Sequence, residues 1–210
     1  LTDNTVISFL VTGNSIFAGT DNGLFRSTDS GDNWIAVNTG FPGPPWPASI
    51  KALAVIGTKL FAADFFFNGG GVFISTDNGT SWTNTNLTNP FTEALAVSGS
   101  NLFAGTNGYG IFISTDNGNQ WTNVNNGLTD TVVSALAVNG NNIFAGTTTG
   151  VFLSTNNGAN WNAVNSGLPV SKITSLIISG TNIFAGTLGY GVYLSTNNGI
   201  DWTAVNSGLI

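Results

Sequence analysis

The segment Ser-Thr-Asp-Asn-Gly-Thr-Ser-Trp at residues 75–82 occurs five times in this chain with small changes. The first serines of successive copies stand at 27, 75, 114, 154 and 195, so the steps are 48, 39, 40 and 41 residues. A period of about 40 residues, with short apolar runs between turn residues, is typical of a β-propeller blade. The sequence therefore predicts a repeat fold. The other copies are Ser27–Trp34, Ser114–Trp121, Ser154–Trp161 and Ser195–Trp202.

The fourth repeat shows how one unit is built. Four runs of strand-forming residues follow each other, and Gly and Asn mark the turns between them. Four strands joined by tight turns form the antiparallel sheet of a blade. The predicted strands are 133–140, 142–147, 150–155 and 161–166.

The whole chain is predicted to be all-β, a single five-bladed β-propeller over residues 1–210 with four antiparallel strands in each blade. Residues 1–6 align with 128–133 and the final SGLI aligns with 166–168, so both ends fall between blades. We expect closure by side-chain packing between the first and last blades, with adjacent termini. The alternative is an excerpt from a longer array. The predicted blades span about residues 1–40, 48–88, 91–127, 131–167 and 171–209.

The repeated octapeptide, here called the box, has a structural logic. A carboxylate or amide oxygen at its third position can accept hydrogen bonds from backbone N–H groups of its own turn. Gly two positions later supplies a positive φ, and the Trp buries a large apolar ring. The third residue changes from Asp to Asn in the last two boxes, which keeps the acceptor and removes the charge. We therefore predict structural roles for Asp29, Asp77, Asp116, Asn156, Asn197, Trp34, Trp82, Trp121, Trp161 and Trp202.

The pattern Ser-Thr-Asp/Asn-x-Gly-x-x-Trp resembles the Asp box of BNR-like repeats in all five units. That superfamily includes sialidase-like, VPS10-like, xyloglucanase-like and photosystem II assembly-factor-like propellers. The resemblance implies a propeller fold but no single function, since the superfamily spans enzymes and binding scaffolds. It also implies that the box lies at the turn between the two outer strands, away from the usual active-site face.

Charge and composition exclude several functions. The net charge is −6, and the four cations, Arg26, Lys51, Lys59 and Lys172, form no cluster in the sequence. Nucleic-acid binding and docking to anionic lipid are therefore not expected. No apolar run approaches the roughly 18 residues that a membrane-spanning helix needs, so membrane insertion is not expected either. Richness in Asn, Thr, Ser and Gly resembles secreted microbial surface proteins and suggests an extracellular or cell-surface location.

Several catalytic and cofactor chemistries lack their residues. The chain has no His and no Cys, which excludes Ser-His-Asp and Cys-His nucleophilic sites and His/Cys zinc sites. Residues 29–33 are acidic but lack the spacing of a calcium-binding EF-hand loop. We predict no cofactor and no metal. Sialidase activity is not expected, because Arg26 is the only arginine available to bind a substrate carboxylate.

Insertions that break the repeat indicate where a ligand would bind. Residues 39–49 form the longest departure, rich in proline, and residues 64–71 replace a short polar turn with three successive phenylalanines. Two NGYG-like turns add tyrosines. We predict an aromatic surface for a glycan or a protein on the face opposite the boxes, the alternative being that these rings pack on each other. The ligand-binding candidates are Phe41, Trp46, Phe65, Phe66, Phe67, Tyr109 and Tyr190; Phe91 lies in another inter-blade loop.

Three functions remain open at this point. The first is a non-catalytic extracellular binding module. The second is a structural surface or filament module that self-associates through exposed strand edges. The third is a glycoside hydrolase, which needs two carboxylates and would use Asp64 and Glu93. Apart from that possible reaction, Asp64, Glu93, Asp21 and Asp130 are all predicted to be solvated loop acids. The scarcity of catalytic side chains favours the first function.

Overall fold

The computed structural model describes residues 5–43, 48–66, 70–87 and 91–209. Within these residues the regular elements are 20 strands in five four-stranded antiparallel sheets, each with its strands in sequence order. The prediction of an all-β, five-bladed propeller with four antiparallel strands per blade is confirmed. The described residues include no helix long and apolar enough to cross a membrane.

The strands have nearly the same lengths in every blade. The first strand has seven residues and the fourth has two. The strands are β1 (Val6–Thr12), β2 (Ser15–Thr20), β3 (Gly23–Ser27) and β4 (Ile35–Ala36); β5 (Ile50–Ile56), β6 (Lys59–Asp64), β7 (Gly71–Ser75) and β8 (Thr83–Asn84); β9 (Thr92–Ser98), β10 (Asn101–Thr106), β11 (Gly110–Ser114) and β12 (Thr122–Asn123); β13 (Val133–Asn139), β14 (Asn142–Thr147), β15 (Val151–Ser154) and β16 (Asn162–Ala163); β17 (Ile173–Ser179), β18 (Asn182–Thr187), β19 (Gly191–Ser195) and β20 (Thr203–Ala204).

The fourth repeat shows where the predicted strands and the structure differ. The second strand is as predicted, but the fourth is Asn162–Ala163 rather than 161–166. The ladder ends early because Asn165 turns its side chain inward and accepts a hydrogen bond from Val151 N at 2.7 Å. The side-chain oxygen of Asn165 therefore takes the place of a backbone carbonyl as the acceptor for Val151 N.

The chain forms two compact units, residues 1–104 with 114–121, and residues 105–113 with 122–210. The prediction that residues 1–210 form one domain stays a prediction. In the first unit the core joins Phe17, Leu24, Ile50, Phe73 and Trp82. In the second unit an equivalent core includes Phe144, Ile173, Ile183 and Trp202. Both cores are made by the apolar residues that recur at matching positions in each repeat, because these side chains cover the faces of neighbouring sheets.

The box turns are held by hydrogen bonds from two side chains. In the second blade Ser75 Oγ accepts from Gly79 N at 2.8 Å and donates to Asp77 Oδ1 at 2.7 Å. Asp77 Oδ1 also accepts from Ser81 N at 2.9 Å. Asn78 and Gly79 both have positive φ, 57° and 79°, which suits an Asn-Gly pair in a tight turn. The oxygens of Asn156 and Asn197 accept the same backbone bond at 2.9 and 3.0 Å.

The carboxylates of the box turns titrate at low pH. The backbone amide of Asn33, then its side chain and the Ser27 hydroxyl, lower the pKa of Asp29 to about 2. The pKa of Asp77 is lowered mainly by the Ser81 hydroxyl, and the pKa of Asp116 is lowered mainly by the backbone N–H of Gln120. A folded-state pKa below the usual 3.8 means that these bonds stabilise the fold above that pH. Their contribution is lost as the pH falls through the folded-state value.

The buried serine of the box gives a first prediction. We expect Ser75→Ala to lower the free energy of unfolding by about 1–3 kcal/mol, because it leaves the buried Gly79 N–H without an acceptor. The neighbouring Thr76 is exposed, so Thr76→Ala is the matched control, with an expected change of about 0.5 kcal/mol or less. Urea unfolding followed by circular dichroism measures both. Equal losses for the two variants would contradict the role assigned to the serine.

Candidate functional site

The turn between the second and third strands of the second blade departs from the arrangement in the other four blades. In those blades a threonine hydroxyl at the end of the second strand donates to a glycine carbonyl, and an asparagine oxygen accepts from the third strand. In the first blade these are Thr20 Oγ1 to Gly23 O at 2.9 Å and Leu24 N to Asn38 Oδ1 at 2.7 Å. The second blade has Asp64 at the threonine position, and its Asn86 is exposed with a φ of 60°. The departure therefore replaces a symmetric polar turn with a carboxylic acid.

Asp64 is fully buried, so the prediction of a solvated loop acid is wrong at this position. Its Oδ1 accepts from Ser49 N at 2.8 Å, whereas Oδ2 has no hydrogen bond of normal geometry among the described residues. Burial raises the pKa of Asp64 to about 6, against the opposing effect of the amides of Ser49, Phe66 and Phe65. Desolvation dominates because it disfavours the charged form of an acid.

A polar and aromatic cluster surrounds this acid. Ser49 Oγ donates to Asp21 Oδ1 at 2.8 Å, and Lys51 Nζ lies 3.0 Å from the same oxygen. The Lys51 ammonium is also 5.6 Å from the centre of the Phe65 ring. The Phe65 ring meets Phe91 edge-on, with centroids 5.2 Å apart. We call Asp21, Ser49, Lys51, Asp64, Phe65 and Phe91 the Asp64 cluster.

The structure separates the other aromatic candidates into packed and exposed rings. Phe41 stacks on Trp82 with centroids 5.1 Å apart and meets Phe73 edge-on at 4.9 Å, so its ring belongs to the core of the first unit. Phe66 is half-buried. Tyr109 and Tyr190 are 48% and 55% exposed. Two further candidates, Trp46 and Phe67, lie outside the described residues.

The two tyrosines lie on turns fixed by asparagine side chains. Asn125 Nδ2 donates to Tyr109 O at 2.9 Å, and Asn206 Nδ2 donates to Tyr190 O at 3.0 Å. Each asparagine also accepts from the third strand of its sheet, at 2.7 Å in both cases. The backbone under each exposed ring is thus held by hydrogen bonds.

The remaining acidic candidates have different surroundings. Glu93 is half-buried on β9. Asp130 Oδ2 accepts from the hydroxyls of Thr148 and Thr149, at 2.6 and 3.0 Å. Partial burial acts to raise the pKa of Asp130, but these hydroxyls and the Val132 amide outweigh it and lower the pKa. Within the described residues no group of three His, Cys, Asp or Glu side chains is placed to hold a metal ion.

The first unit carries several grooves. One, of about 620 Å³, is on the box side and is lined by the turns at 12–15 and 57–58 and by box residues such as Asp77. A smaller one, of about 180 Å³, is lined by Asn22, Asn38, Phe41 and Pro42. The box-side groove has no counterpart in the sequence pattern, because its walls come from turns distant in sequence.

Sequence reasoning also missed several polar residues that shape these turns. The first serine of the box and the asparagine four residues after the box Trp could have been found, since both recur in all five repeats. Ser49 and Lys51 carry no such signal. Their roles depend on Asp21 and Asp64, which are 28 and 15 residues from Ser49 along the chain.

Comparisons with known proteins agree on the fold. Residues 95–186 match the family model of the DUF6242 beta propeller domain. No curated protein matches the sequence. Solved structures similar to this chain include an ancestral GH74 enzyme, with 22% identity and a TM-score of 0.78 over 98% of this chain and 32% of that one.

Two other similar structures are not described as enzymes. The extracellular domain of BT4673 from B. thetaiotaomicron shows 19% identity and a TM-score of 0.75 over 92% of this chain and 27% of that one. YCF48 bound to D1 peptide shows 16% identity and a TM-score of 0.66 over 94% of this chain and 66% of that one. This chain spans between about a quarter and two thirds of the length of these structures. At these identities the likeness shows that the chain has the β-propeller fold.

Proposed function

We propose that the protein is a non-catalytic extracellular binding module. It binds a glycan or a protein through aromatic side chains on the turns between the second and third strands of its blades. The observation that carries the proposal is the pair of exposed rings, Tyr109 and Tyr190, on turns fixed by Asn125 and Asn206. A rigid aromatic ring loses little conformational entropy when it binds, and its face and hydroxyl suit both sugars and polypeptides.

The low charge of the chain favours a neutral ligand. Charged residues make up 7% of the chain. The proposal therefore does not depend on ion pairing, and we expect binding to vary little with salt. The extracellular domain among the similar structures supports the proposed location, and the D1 peptide bound to YCF48 supports a protein ligand.

The test is binding of the full chain to an array of neutral polysaccharides and to an array of peptides. We expect Tyr109→Ser with Tyr190→Ser to weaken binding by about tenfold or more, since truncating a central aromatic contact costs over about 1 kcal/mol. Ile200→Ser is the control, because Ile200 is 65% exposed on a box turn. Equal weakening by the control, or no binding to either array, would overturn the proposal.

A glycoside hydrolase is the second candidate, and the raised pKa of Asp64 is the observation in its favour. A pKa of about 6 suits a general acid at neutral pH. Against this, the carboxyl group is fully buried and so does not reach a substrate in this conformation. We expect Asp64→Asn and Glu93→Gln to leave unchanged the amount of reducing sugar that is released when the protein is incubated with a polysaccharide. Loss of release in both variants would support the hydrolase instead.

A further inference from the structure

The box-side groove lies between the first two blades, and all of its walls belong to the first unit. Its volume is about 620 Å³, and sites for small molecules occupy about 300–1,000 Å³. One wall includes the turn at 12–15 of the first blade. The other includes the turn at 57–58 and the box residues 76–78 of the second blade. The groove therefore has the size of a ligand site, and two neighbouring blades enclose it.

Ser15 lies on the side of the first sheet that faces the second blade. It is two residues before Phe17 on β2, so both side chains project from the same face of the sheet. The Phe17 ring contacts the second box, because a Cβ placed on Gly79 would lie 2.5 Å from this ring. Ser15 therefore forms part of the floor of the groove, together with Leu60 of β6.

Two side chains of the groove are shorter than those at matching positions of other blades. Thr12 at the end of β1 corresponds to Asn139 at the end of β13. In the second unit Asn139 Nδ2 donates to Gly180 O at 3.4 Å and so joins one hairpin turn to the next. The threonine has no amide to make this bond. The position of Ser15 holds Lys59, Asn101, Asn142 and Asn182 in the other repeats.

The groove presents hydrogen-bonding groups that the described residues do not use. Ser15 is only 4% exposed, yet its hydroxyl has no hydrogen-bond partner among these residues. The side chains of Thr12, Thr58, Thr76 and Asn78 also line the groove and likewise have no partner in the described part of the chain. Because buried hydroxyl groups are normally hydrogen-bonded, an unused donor and acceptor at the floor of a groove indicates a place for a ligand.

The charge of the groove disfavours an anion. Asp77 is the charged residue among those that line it, and no lysine or arginine lines it. Hydrogen bonds from Ser81 and Ser75 lower the pKa of Asp77, so its carboxylate is ionised at neutral pH and already accepts these bonds. Arg26 reaches the carbonyl of Asn78 at 2.7 Å but does not line the groove. The groups left for a ligand are neutral hydroxyls and amides.

We propose that the box-side groove binds a neutral oligosaccharide of about two or three sugar rings. Each sugar hydroxyl can both donate and accept a hydrogen bond, and so can the serine and threonine hydroxyls of the groove. The methyl groups of Thr12, Thr58 and Thr76 supply apolar contacts for the C–H groups of the sugar rings. The site does not involve Tyr109 or Tyr190, so it is separate from the binding site of the proposed function.

The test is a titration of the full chain with cellotriose, xylotriose, mannotriose and maltotriose, followed by the backbone amide signals in ¹H–¹⁵N NMR spectra. We expect at least one trisaccharide to shift the signals of residues 12–15, 57–58 and 76–78 in a saturable way. Trigalacturonic acid, an anionic trisaccharide, is expected to leave these signals unchanged, because the Asp77 carboxylate repels it.

Two variants fill the groove with residues that other repeats carry at the same positions. Ser15→Asn and Thr12→Asn are each expected to raise the dissociation constant by about tenfold or more, because they occupy the floor or the rim and remove a hydroxyl. Ser179→Asn is the matched control. Ser179 is the exposed residue that corresponds to Thr12 in the last blade, and it does not line the groove, so binding should not change.

The double variant Tyr109→Ser with Tyr190→Ser separates this proposal from the proposed function. It is expected to leave the affinity of the groove for the trisaccharide unchanged. Saccharide-induced shifts that occur at residues 109 and 190 and not in the groove would overturn the proposal and assign the sugar to the tyrosine turns.

Three other results would overturn the proposal. The first is that none of the four neutral trisaccharides at millimolar concentration shifts the groove signals. The second is unchanged affinity in Thr12→Asn and Ser15→Asn; if Ser15→Asn does not fold, Thr12→Asn alone decides, because Thr12 is at the half-buried rim. The third is equal binding of trigalacturonic acid, which would show that the groove does not select a neutral ligand.

Discussion

Replacing Trp82 with alanine is expected to lower the free energy of unfolding by about 3–5 kcal/mol, because a large buried ring leaves a cavity in the core. Trp82 is 4% exposed and stacks on Phe41, and its indole N–H satisfies the carbonyl of the buried Val37. Chemical unfolding followed by far-UV circular dichroism measures the loss.

Trp34→Ala is the matched control for this prediction. Trp34 occupies the same box position, but its indole N–H donates to Gly31 O of its own turn. We expect a loss of about 1–2 kcal/mol, because the Trp34 ring does not bond a neighbouring blade through its indole N–H. Equal losses in the two variants would mean that the stability comes from the box turn and not from the contact between blades.

Trp82→Phe separates the ring from the hydrogen bond. The phenylalanine keeps an aromatic ring in the core but leaves Val37 O without its donor. Leaving a buried acceptor unpaired costs about 1–3 kcal/mol, so an intermediate loss is expected. A loss as large as that of Trp82→Ala would indicate that the shape of the indole, rather than its N–H group, determines the packing.

Asp64→Asn is expected to stabilise the protein by about 2–3 kcal/mol near pH 8 and to have little effect near pH 3.5. Burial raises the pKa of Asp64 from 3.8 to about 6, so the folded state holds a proton that the unfolded state releases between these values. The associated stability is therefore fully present below pH 3.8 and is lost as the pH rises through about 6. Asparagine keeps the acceptor for Ser49 N and carries no charge.

Thermal or urea unfolding across this pH range tests the prediction. At each pH the free energy of unfolding of the unaltered protein is subtracted from that of the variant. The opposite pH dependence caused by Asp29, Asp77 and Asp116, whose pKa values are lowered, is the same in both proteins and therefore cancels. Asp64→Thr, which restores the residue found in the other repeats, is the second variant and should also remove the pH-dependent loss. A variant that is less stable than the unaltered protein near pH 8 would contradict the prediction. It would show that hydrogen bonds to the ionised carboxylate outweigh the cost of burying its charge.

Much of the fold could be predicted because it is encoded locally and five times over. Residues 142–147 form β14 as predicted, since a short apolar run bounded by an Asn-Gly turn and a Gly turn is typical of a strand. The fourth strands were predicted too long. The side chain of Asn165, not its backbone, completes the pairing with Val151, and no local pattern distinguishes the two.

The candidate site was less predictable. The repeat pattern directed the prediction to residues 64–71 and to the NGYG-like turns, and the structure leaves Tyr109 and Tyr190 exposed. Phe41 looked equivalent to these rings in sequence, but it stacks on Trp82, whose backbone N bonds Thr39 O. Whether an aromatic residue in a loop is buried depends on what the neighbouring sheet presents to it.

By itself the sequence determined the number of blades, the order of their strands and the turns that join them, because each follows from residues close together in one repeat. Only the tertiary structure decided that Asp64 is buried against Ser49 and that the indole of Trp82 donates to Val37 O, in the blade before its own. The physical reason is that desolvation and hydrogen bonding between sheets depend on partners far apart in the chain, which a repeated local motif does not specify.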